Sequence, residues 1–259
     1  TTQTAYEAER QLEKLAMRYC ITADKSYAAK AAELTEAALA DTVVWHNPLV
    51  KGLTRAHLLR AVATAYDLCY DAWPEDLRSR TSQALFETAR SLHSLMGTEA
   101  NFALESNWMG VRYAAVLYAL CISDYTGRVS GRQSEKQLMI WDAGERLRDH
   151  IKANMNPNGW SGESLGYHYY SWSFIAPALM AYEHYGLGRG KALSILAPYC
   201  QNVIATHAAV IAFIRGRAAF RALKPDFSDD NVGVRPDFFL QAFRIYPDSL
   251  QAPLRWLAD

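Results

Sequence analysis

Residues 113–122 read YAAVLYALCI, and residues 174–181 read FIAPALMA. Neither segment contains a charged side chain, and a helix that is apolar on every side must be buried on every side. The predicted first helix and the one that follows Pro74 have instead one apolar and one polar face. This contrast predicts an all-α protein in which inner helices are wrapped by outer ones, an (α/α) toroid or incomplete α/α barrel.

Helical spacing and helix-start signals recur along most of the chain. Thr4 with Glu7 and Ser134 with Gln137 match the capping box that opens a helix, and Pro74 suits a first helical turn. Pro177 is expected to kink its helix or to mark its start. No strand pattern and no solenoid repeat is expected. The remaining predicted helices cover about 27–40, 55–72, 108–125, 171–185, 191–213, 237–246 and 249–258.

Length, charge and composition narrow the class of protein. The 259 residues, half of them hydrophobic, are enough for one compact domain over residues 1–259. Twenty-seven basic and twenty-seven acidic residues leave no net charge to attract nucleic acid. The apolar runs are too short to span a membrane. The four scattered cysteines match no metal motif, so no metal is expected. No other cofactor is expected either, and the oligomeric state is left open.

Residues 158–172, NGWSGESLGYHYYSW, are the strongest candidate for a functional site. Buried aromatic side chains with hydroxyl groups must each find a hydrogen-bond partner, so crowding them is costly unless a site uses them. The tryptophans offer flat surfaces on which sugar rings stack, although they suit ordinary packing as well. The candidate residues of this segment are Trp160, Glu163, Tyr167, His168, Tyr169, Tyr170 and Trp172.

A second candidate element lies at the start of the helix that contains residues 113–122. Asn107 is expected either to cap this helix or to present its amide to an oxyanion. Trp108 follows it, and Arg112 comes about one turn later. A buried arginine needs an acidic partner, either inside the protein or on a ligand.

The order and spacing of these two elements resemble the paired signature of heparinase II/III-like polysaccharide lyases, and similar elements occur in alginate lyases that consist of a toroid alone. The matching residues are Asn107-Trp108 and, some fifty residues later, the run from Asn158 to Tyr170. Residues 64–67 and 225–230 also look like recurring family segments. In these families the two elements lie on neighbouring inner helices and form the substrate cleft.

This resemblance implies β-elimination at a uronic acid, with a uronate polysaccharide or oligosaccharide as substrate and a periplasmic or secreted location. Asn107 would neutralise the carboxylate, and Tyr167 would be the general acid and base. His168 or Arg112 is expected to lower the pKa of Tyr167 by charge or by hydrogen bonding. The implied catalytic residues are Asn107, Tyr167 and His168. The implied substrate-binding residues are Trp108, Arg112, Trp160, Glu163, Tyr169, Tyr170 and Trp172.

The chain departs from the family pattern in two places. Many members carry a histidine beside the asparagine, where this chain has Ser106 and Trp108. Larger members add β-sheet domains downstream of the toroid, and these are absent from this chain. We therefore expect either a truncated toroid or a site completed by other groups.

Two other functions fit the same residues. An α/α-barrel glycoside hydrolase would use Glu163 as general acid and Asp124 or Asp142 as base, with the carboxyl groups of an inverting enzyme roughly 6.5 to 9.5 Å apart. A noncatalytic module that binds glycans or packs against a partner domain would also explain the aromatic residues. In the lyase interpretation Glu163 orients Arg112 or Tyr167. The polysaccharide, and endo or exo action on it, remain open.

Overall fold

A computed structural model describes residues 2–46, 53–96, 104, 106–131, 133–155, 163 and 165–186. Within these ranges the protein is mostly helical, which confirms the predicted all-α class. The helices are α1 (Thr2–Thr22), α2 (Lys25–Leu39), α3 (Leu53–Cys69), α4 (Glu75–Met96), α5 (Asn107–Ile122), α6 (Glu135–Asn154) and α7 (Leu165–His184), with a 3-10 turn at Tyr70–Ala72. The predicted helices beyond residue 186 lie outside the described residues.

One short hairpin departs from the expectation that the chain has no strands. Its strands, β1 (Val129–Ser130) and β2 (Gln133–Ser134), pair antiparallel, with Val129 opposite Ser134. Gly131 has a φ of 64° in the turn, a left-handed conformation that glycine adopts without strain. Strands of two residues are too short to show an alternating pattern in the sequence.

The chain divides into two compact units. Unit 1 comprises Thr1–Asn101 and Arg112–Gly144, and unit 2 comprises Phe102–Val111 and Glu145–Asp259. Helices α5 and α6 therefore contribute residues to both units. The toroidal arrangement of helices remains a prediction, as does the single domain. None of the described helices combines the length and the apolar composition that a membrane crossing requires.

In unit 1, α1 packs against α3 and α2 through a buried hydrophobic core that includes Leu12 and Ala16. A buried carboxylate crosses the α1–α3 interface. Glu9 accepts hydrogen bonds from His57 Nδ1 at 2.5 Å and from Arg60 at 2.7 Å. Burial of a carboxylate is tolerated only when its oxygens are paired in this way.

The two helices predicted to be apolar all round are largely buried, although Cys121, Ile122, Pro177 and Met180 within the predicted stretches are half-buried. Every residue of α5 from Val111 to Leu120 is buried, and α7 buries Trp172, Phe174 and Ile175. Pro177 lies inside α7, so it does not mark the start of that helix.

Local helix-start signals were only partly correct. The Ser134–Gln137 capping box is confirmed, because Ser134 N donates to Gln137 Oε1 at 2.9 Å and Gln137 N donates to Ser134 Oγ at 3.2 Å. The Thr4–Glu7 box is wrong, because α1 begins at Thr2 and already includes Thr4. Pro74 directly precedes α4, and its carbonyl accepts the helical hydrogen bond from Arg78 N at 3.0 Å.

Candidate functional site

The start of α5 is capped by Ser106 rather than by Asn107. Ser106 Oγ accepts a hydrogen bond from Trp108 N at 3.3 Å, and its carbonyl accepts one from Met109 N at 2.9 Å. Asn107 is the first residue of the helix. The expectation that Asn107 caps α5 is therefore wrong, because the neighbouring serine already satisfies the exposed amides of the first turn.

Asn107 and Glu163, from the two sequence elements of the predicted site, are in direct contact. Asn107 N donates to Glu163 Oε2 at 2.9 Å. The Asn107 side chain is 3 % exposed, and its Oδ1 is buried without a hydrogen bond from any described residue. A buried amide oxygen left in this state costs roughly 1–3 kcal/mol. Buried polar atoms without a hydrogen-bond partner are rare in native structures.

Helix α7 begins at Leu165, six residues before its predicted start. Ser171 lies inside the helix, where its Oγ donates to Tyr167 O at 2.9 Å rather than capping a first turn. Tyr167 and His168 are thus consecutive helical residues, which point in directions about 100° apart. Tyr167 is half-buried and His168 is 3 % exposed, so the two side chains face different surroundings.

His168 belongs to a buried cluster in unit 2. Its ring stacks on Trp172 with centroids 6.1 Å apart and planes at 24°. The two side chains line a cavity of about 10 Å³ together with His150, Asn154 and Ser171. A sugar ring does not fit into this volume. His168 therefore underlies the site and does not contact a polymer in this conformation.

Burial, with a smaller contribution from the nearby His150, lowers the pKa of His168 to about 4. The imidazole is neutral at pH 7 for this reason. The expectation that His168 supplies positive charge to Tyr167 is not supported, because a neutral ring has no charge to offer. His150 is held by a hydrogen bond of 2.6 Å between its Nδ1 and Leu104 O, in which Nδ1–H is the donor.

The remaining predicted residues differ in exposure. Trp108 is 40 % exposed, whereas Tyr169 and Trp172 are buried core residues. Tyr170 is half-buried and packs against Phe174 with ring centroids 5.9 Å apart. Arg112 is buried in unit 1 at 2 % exposure. Trp160 lies outside the described residues, as does the segment 225–230.

The two carboxylates assigned to a hydrolase base are both engaged in unit 1. Asp142 pairs with His93 Nε2 at 2.6 Å, and Asp124 accepts from the Tyr66 hydroxyl at 2.8 Å. Asp124 also lines an open cleft that the sequence prediction did not identify. Two residues of the cleft belong to features already named separately. Tyr66 lies in the family-like segment 64–67, and Asp124 is an alternative base of the hydrolase interpretation. In the described part of the chain, no three His, Cys, Asp or Glu side chains are grouped as metal ligands would be.

Neither the protein-family models nor the curated proteins compared with the chain match it.

Proposed function

We propose that this chain is a polysaccharide lyase that cleaves a uronic-acid-containing polysaccharide by β-elimination. Asn107 neutralises the substrate carboxylate, and Tyr167 is the general acid and base. A periplasmic or secreted location and the toroidal fold belong to the same proposal. The observation that carries it is the hydrogen bond between Asn107 N and Glu163 Oε2, which joins the two elements of the lyase-like signature.

The chemistry requires a group like Asn107. In β-elimination a base removes the proton from C5 of the uronic acid, the C4–O bond breaks with its electron pair going to oxygen, and a C4=C5 double bond forms. The C5 proton is only weakly acidic while the neighbouring carboxylate keeps its charge. A carboxamide on a helix whose first amide is already held stabilises the enolate through its Nδ2–H donors, without having to reorganise during the reaction.

We assign the proton transfers to Tyr167. It lies in the first turn of α7 and is half-buried, whereas His168, at the next helical position, is buried. In this proposal Tyr167 protonates the leaving O4, and on suitable substrates it also removes the C5 proton. His168 is a positioning residue, since its buried ring holds the first turns of α7 through the stack on Trp172.

The test is ultraviolet absorbance of 4,5-unsaturated uronates during incubation with heparan sulfate, chondroitin sulfate, hyaluronan, alginate and polygalacturonate. We expect absorbance to rise on at least one polymer. Asn107→Ala and Tyr167→Phe should each lower kcat at least 100-fold while changing the affinity for the polymer less than tenfold, because both act mainly in the transition state. The matched control is Tyr19→Phe, a half-buried tyrosine of α1 in unit 1, which should retain full activity.

Each other outcome identifies a different function. New reducing ends without unsaturated product would show hydrolysis and would overturn the lyase proposal. Binding of a polymer without either product would show the noncatalytic glycan-binding module. Full activity in both Asn107→Ala and Tyr167→Phe would remove the assigned roles even if the chain proved to be a lyase.

A further inference from the structure

An open cleft in unit 1 has the features of a second binding site. Its volume is about 320 Å³, at the lower end of the range for small-molecule sites. The lining comes from α3, the 3-10 turn, α4 and the segment that follows α5. The residues are Tyr66, Tyr70, Glu75, Arg78, Ser82, Asp124 and Tyr125, together with Ser79.

Asp124 is a preorganised acceptor in this cleft. The buried Tyr66 hydroxyl donates to Asp124 Oδ2 at 2.8 Å. A hydrogen bond to Asp124 also raises the pKa of Tyr70, and burial followed by the bond to Asp124 raises the pKa of Tyr66. Both phenols therefore stay protonated. The Tyr66 hydroxyl holds the carboxylate of Asp124 in place while this residue remains exposed to solvent.

Arg78 provides the complementary donor. Its guanidinium carbon lies 4.6 Å from the centre of the Tyr70 ring, which fixes the plane of the group. Arg78 Nε is buried, and no described residue accepts a hydrogen bond from it. The guanidinium lines the open cleft, where its terminal Nη–H groups can donate to an oxygen atom of a ligand.

Tyr125 forms one wall of the cleft, and hydrogen bonds from its backbone amide hold it in place. Tyr125 N donates to Ser82 Oγ at 2.8 Å and to Ser123 Oγ at 3.1 Å. The ring packs against Phe86 with centroids 5.2 Å apart, yet the residue is 40 % exposed. An exposed ring whose backbone amide is anchored and which packs against a buried phenylalanine forms a fixed flat surface.

The charges of the lining decide the class of ligand. Two carboxylates, Glu75 and Asp124, and one guanidinium, Arg78, give the lining a net charge of −1, which disfavours phosphate and other anions. The hydroxyl groups and charged side chains disfavour an apolar ligand. A neutral sugar ring presents hydroxyl groups to Asp124 and Arg78 and a C–H face to an aromatic ring.

We propose that the cleft around Asp124, Arg78 and Tyr125 binds a single neutral pyranose. Asp124 accepts hydrogen bonds from adjacent hydroxyl groups, Arg78 donates to a hydroxyl or ring oxygen, and the Tyr125 ring stacks on the C–H face. This site is independent of the proposed lyase function, since none of its residues takes part in the elimination.

Saturation-transfer NMR tests the proposal with the methyl glycosides of glucose, galactose, mannose and N-acetylglucosamine at millimolar concentration. Inorganic phosphate and putrescine are titrated separately by calorimetry. We expect saturation transfer to at least one glycoside. Arg78→Ala and Tyr125→Ala should each weaken that binding at least tenfold. Arg80→Ala is the matched control, because this exposed arginine of the same helix pairs with Glu36 and Asp76 instead.

The outcomes separate this site from the lyase site. Glycoside binding that persists in Tyr167→Phe, with or without lyase activity, supports the proposal. Binding of the free sugars as well as their methyl glycosides would also support it, and their relative affinity would show whether a chain end or a linked unit is preferred. No saturation transfer from any glycoside, binding of phosphate or putrescine alone, or unchanged affinity in both variants would overturn it.

Discussion

The position of Glu163 helps to distinguish the lyase proposal from the hydrolase alternative. Its Oε2 accepts the hydrogen bond from Asn107 N at 2.9 Å, so its carboxylate lies against the positive end of α5. A carboxylate oxygen that accepts from this amide fixes the first residue of the helix, whereas a general acid must reach the leaving group of the substrate. The contact therefore fits a residue that positions Asn107 better than one that protonates a leaving group.

We expect Glu163→Gln to retain at least a tenth of the wild-type kcat, because the glutamine oxygen still accepts the hydrogen bond from Asn107 N. Glu163→Ala should lose considerably more, because the bond is absent. The measurement is initial rates of unsaturated-product formation, with circular dichroism to confirm folding. A Glu163→Gln variant as inactive as Glu163→Ala would instead indicate that the proton itself is needed, as in a hydrolase.

His168 links the site to the stability of unit 2. Its pKa is about 4 in the folded protein against an ordinary value of 6.5, so the unfolded chain binds more protons between these values. The contribution of the neutral ring is complete above pH 6.5 and is lost as the pH falls towards 4. Between pH 7.5 and pH 5 this group alone should remove about 2 kcal/mol of unfolding free energy.

Urea unfolding of the wild type and His168→Gln at several pH values measures this contribution. The glutamine variant is expected to be less stable at pH 7.5 and to lose less stability on acidification. Parallel curves for the two proteins would show that His168 is not held neutral by its surroundings.

At the scale of elements, α5 and α6 approach closely where Gly110 faces His150 in unit 2. A Cβ atom at position 110 would lie 2.4 Å from His150 Nε2, well inside van der Waals contact. The histidine is anchored by its bond to Leu104 O, so it cannot simply rotate away. Glycine is needed here for close packing, although it is a poor helix former.

Gly110→Ala should therefore destabilise the protein by about 2 kcal/mol, even though alanine favours helix by about 1 kcal/mol. In a His150→Ala background the same change should be neutral or stabilising, because the overlapping ring is gone. Chemical denaturation of the four proteins of this cycle provides the test. Equal losses in both backgrounds would place the clash elsewhere.

The helices also show which local signals are reliable. The Ser134–Gln137 box works because both of its hydrogen bonds form within four residues. Its Thr4–Glu7 counterpart has the same residue pattern but lies inside α1. The start of α7 was misplaced for a related reason, since Ser171 bonds back to Tyr167 O within the helix and resembles a cap only in the sequence.

At the scale of the whole molecule, charge balance predicts solubility. Equal numbers of basic and acidic residues give an isoelectric point near 7.0. Repulsion between molecules is weakest at that pH. We expect the concentration of polyethylene glycol needed for precipitation to be lowest near pH 7 and to rise at pH 5.5 and pH 8.5. A minimum more than one pH unit away would show that several buried groups titrate abnormally.

The candidate site could be predicted only in part. Asn107 and Glu163, which the family resemblance placed in one cleft, are in contact, while their functional roles remain a prediction. The cleft around Asp124 was missed, because its members come from four elements and no two of them form a motif. The neutrality of His168 was missed as well, because it depends on burial and on His150, 18 residues away in the chain.

The sequence by itself determined the helical class and the burial of α5 and α7, because these follow from the spacing and composition of neighbouring residues. Only the tertiary structure decided which polar atoms meet. The Asn107–Glu163 bond, the preorganised Asp124 and the buried His168 depend on distances and exclusion of water between segments remote in the chain. Such contacts arise from packing, which no local pattern of residues encodes.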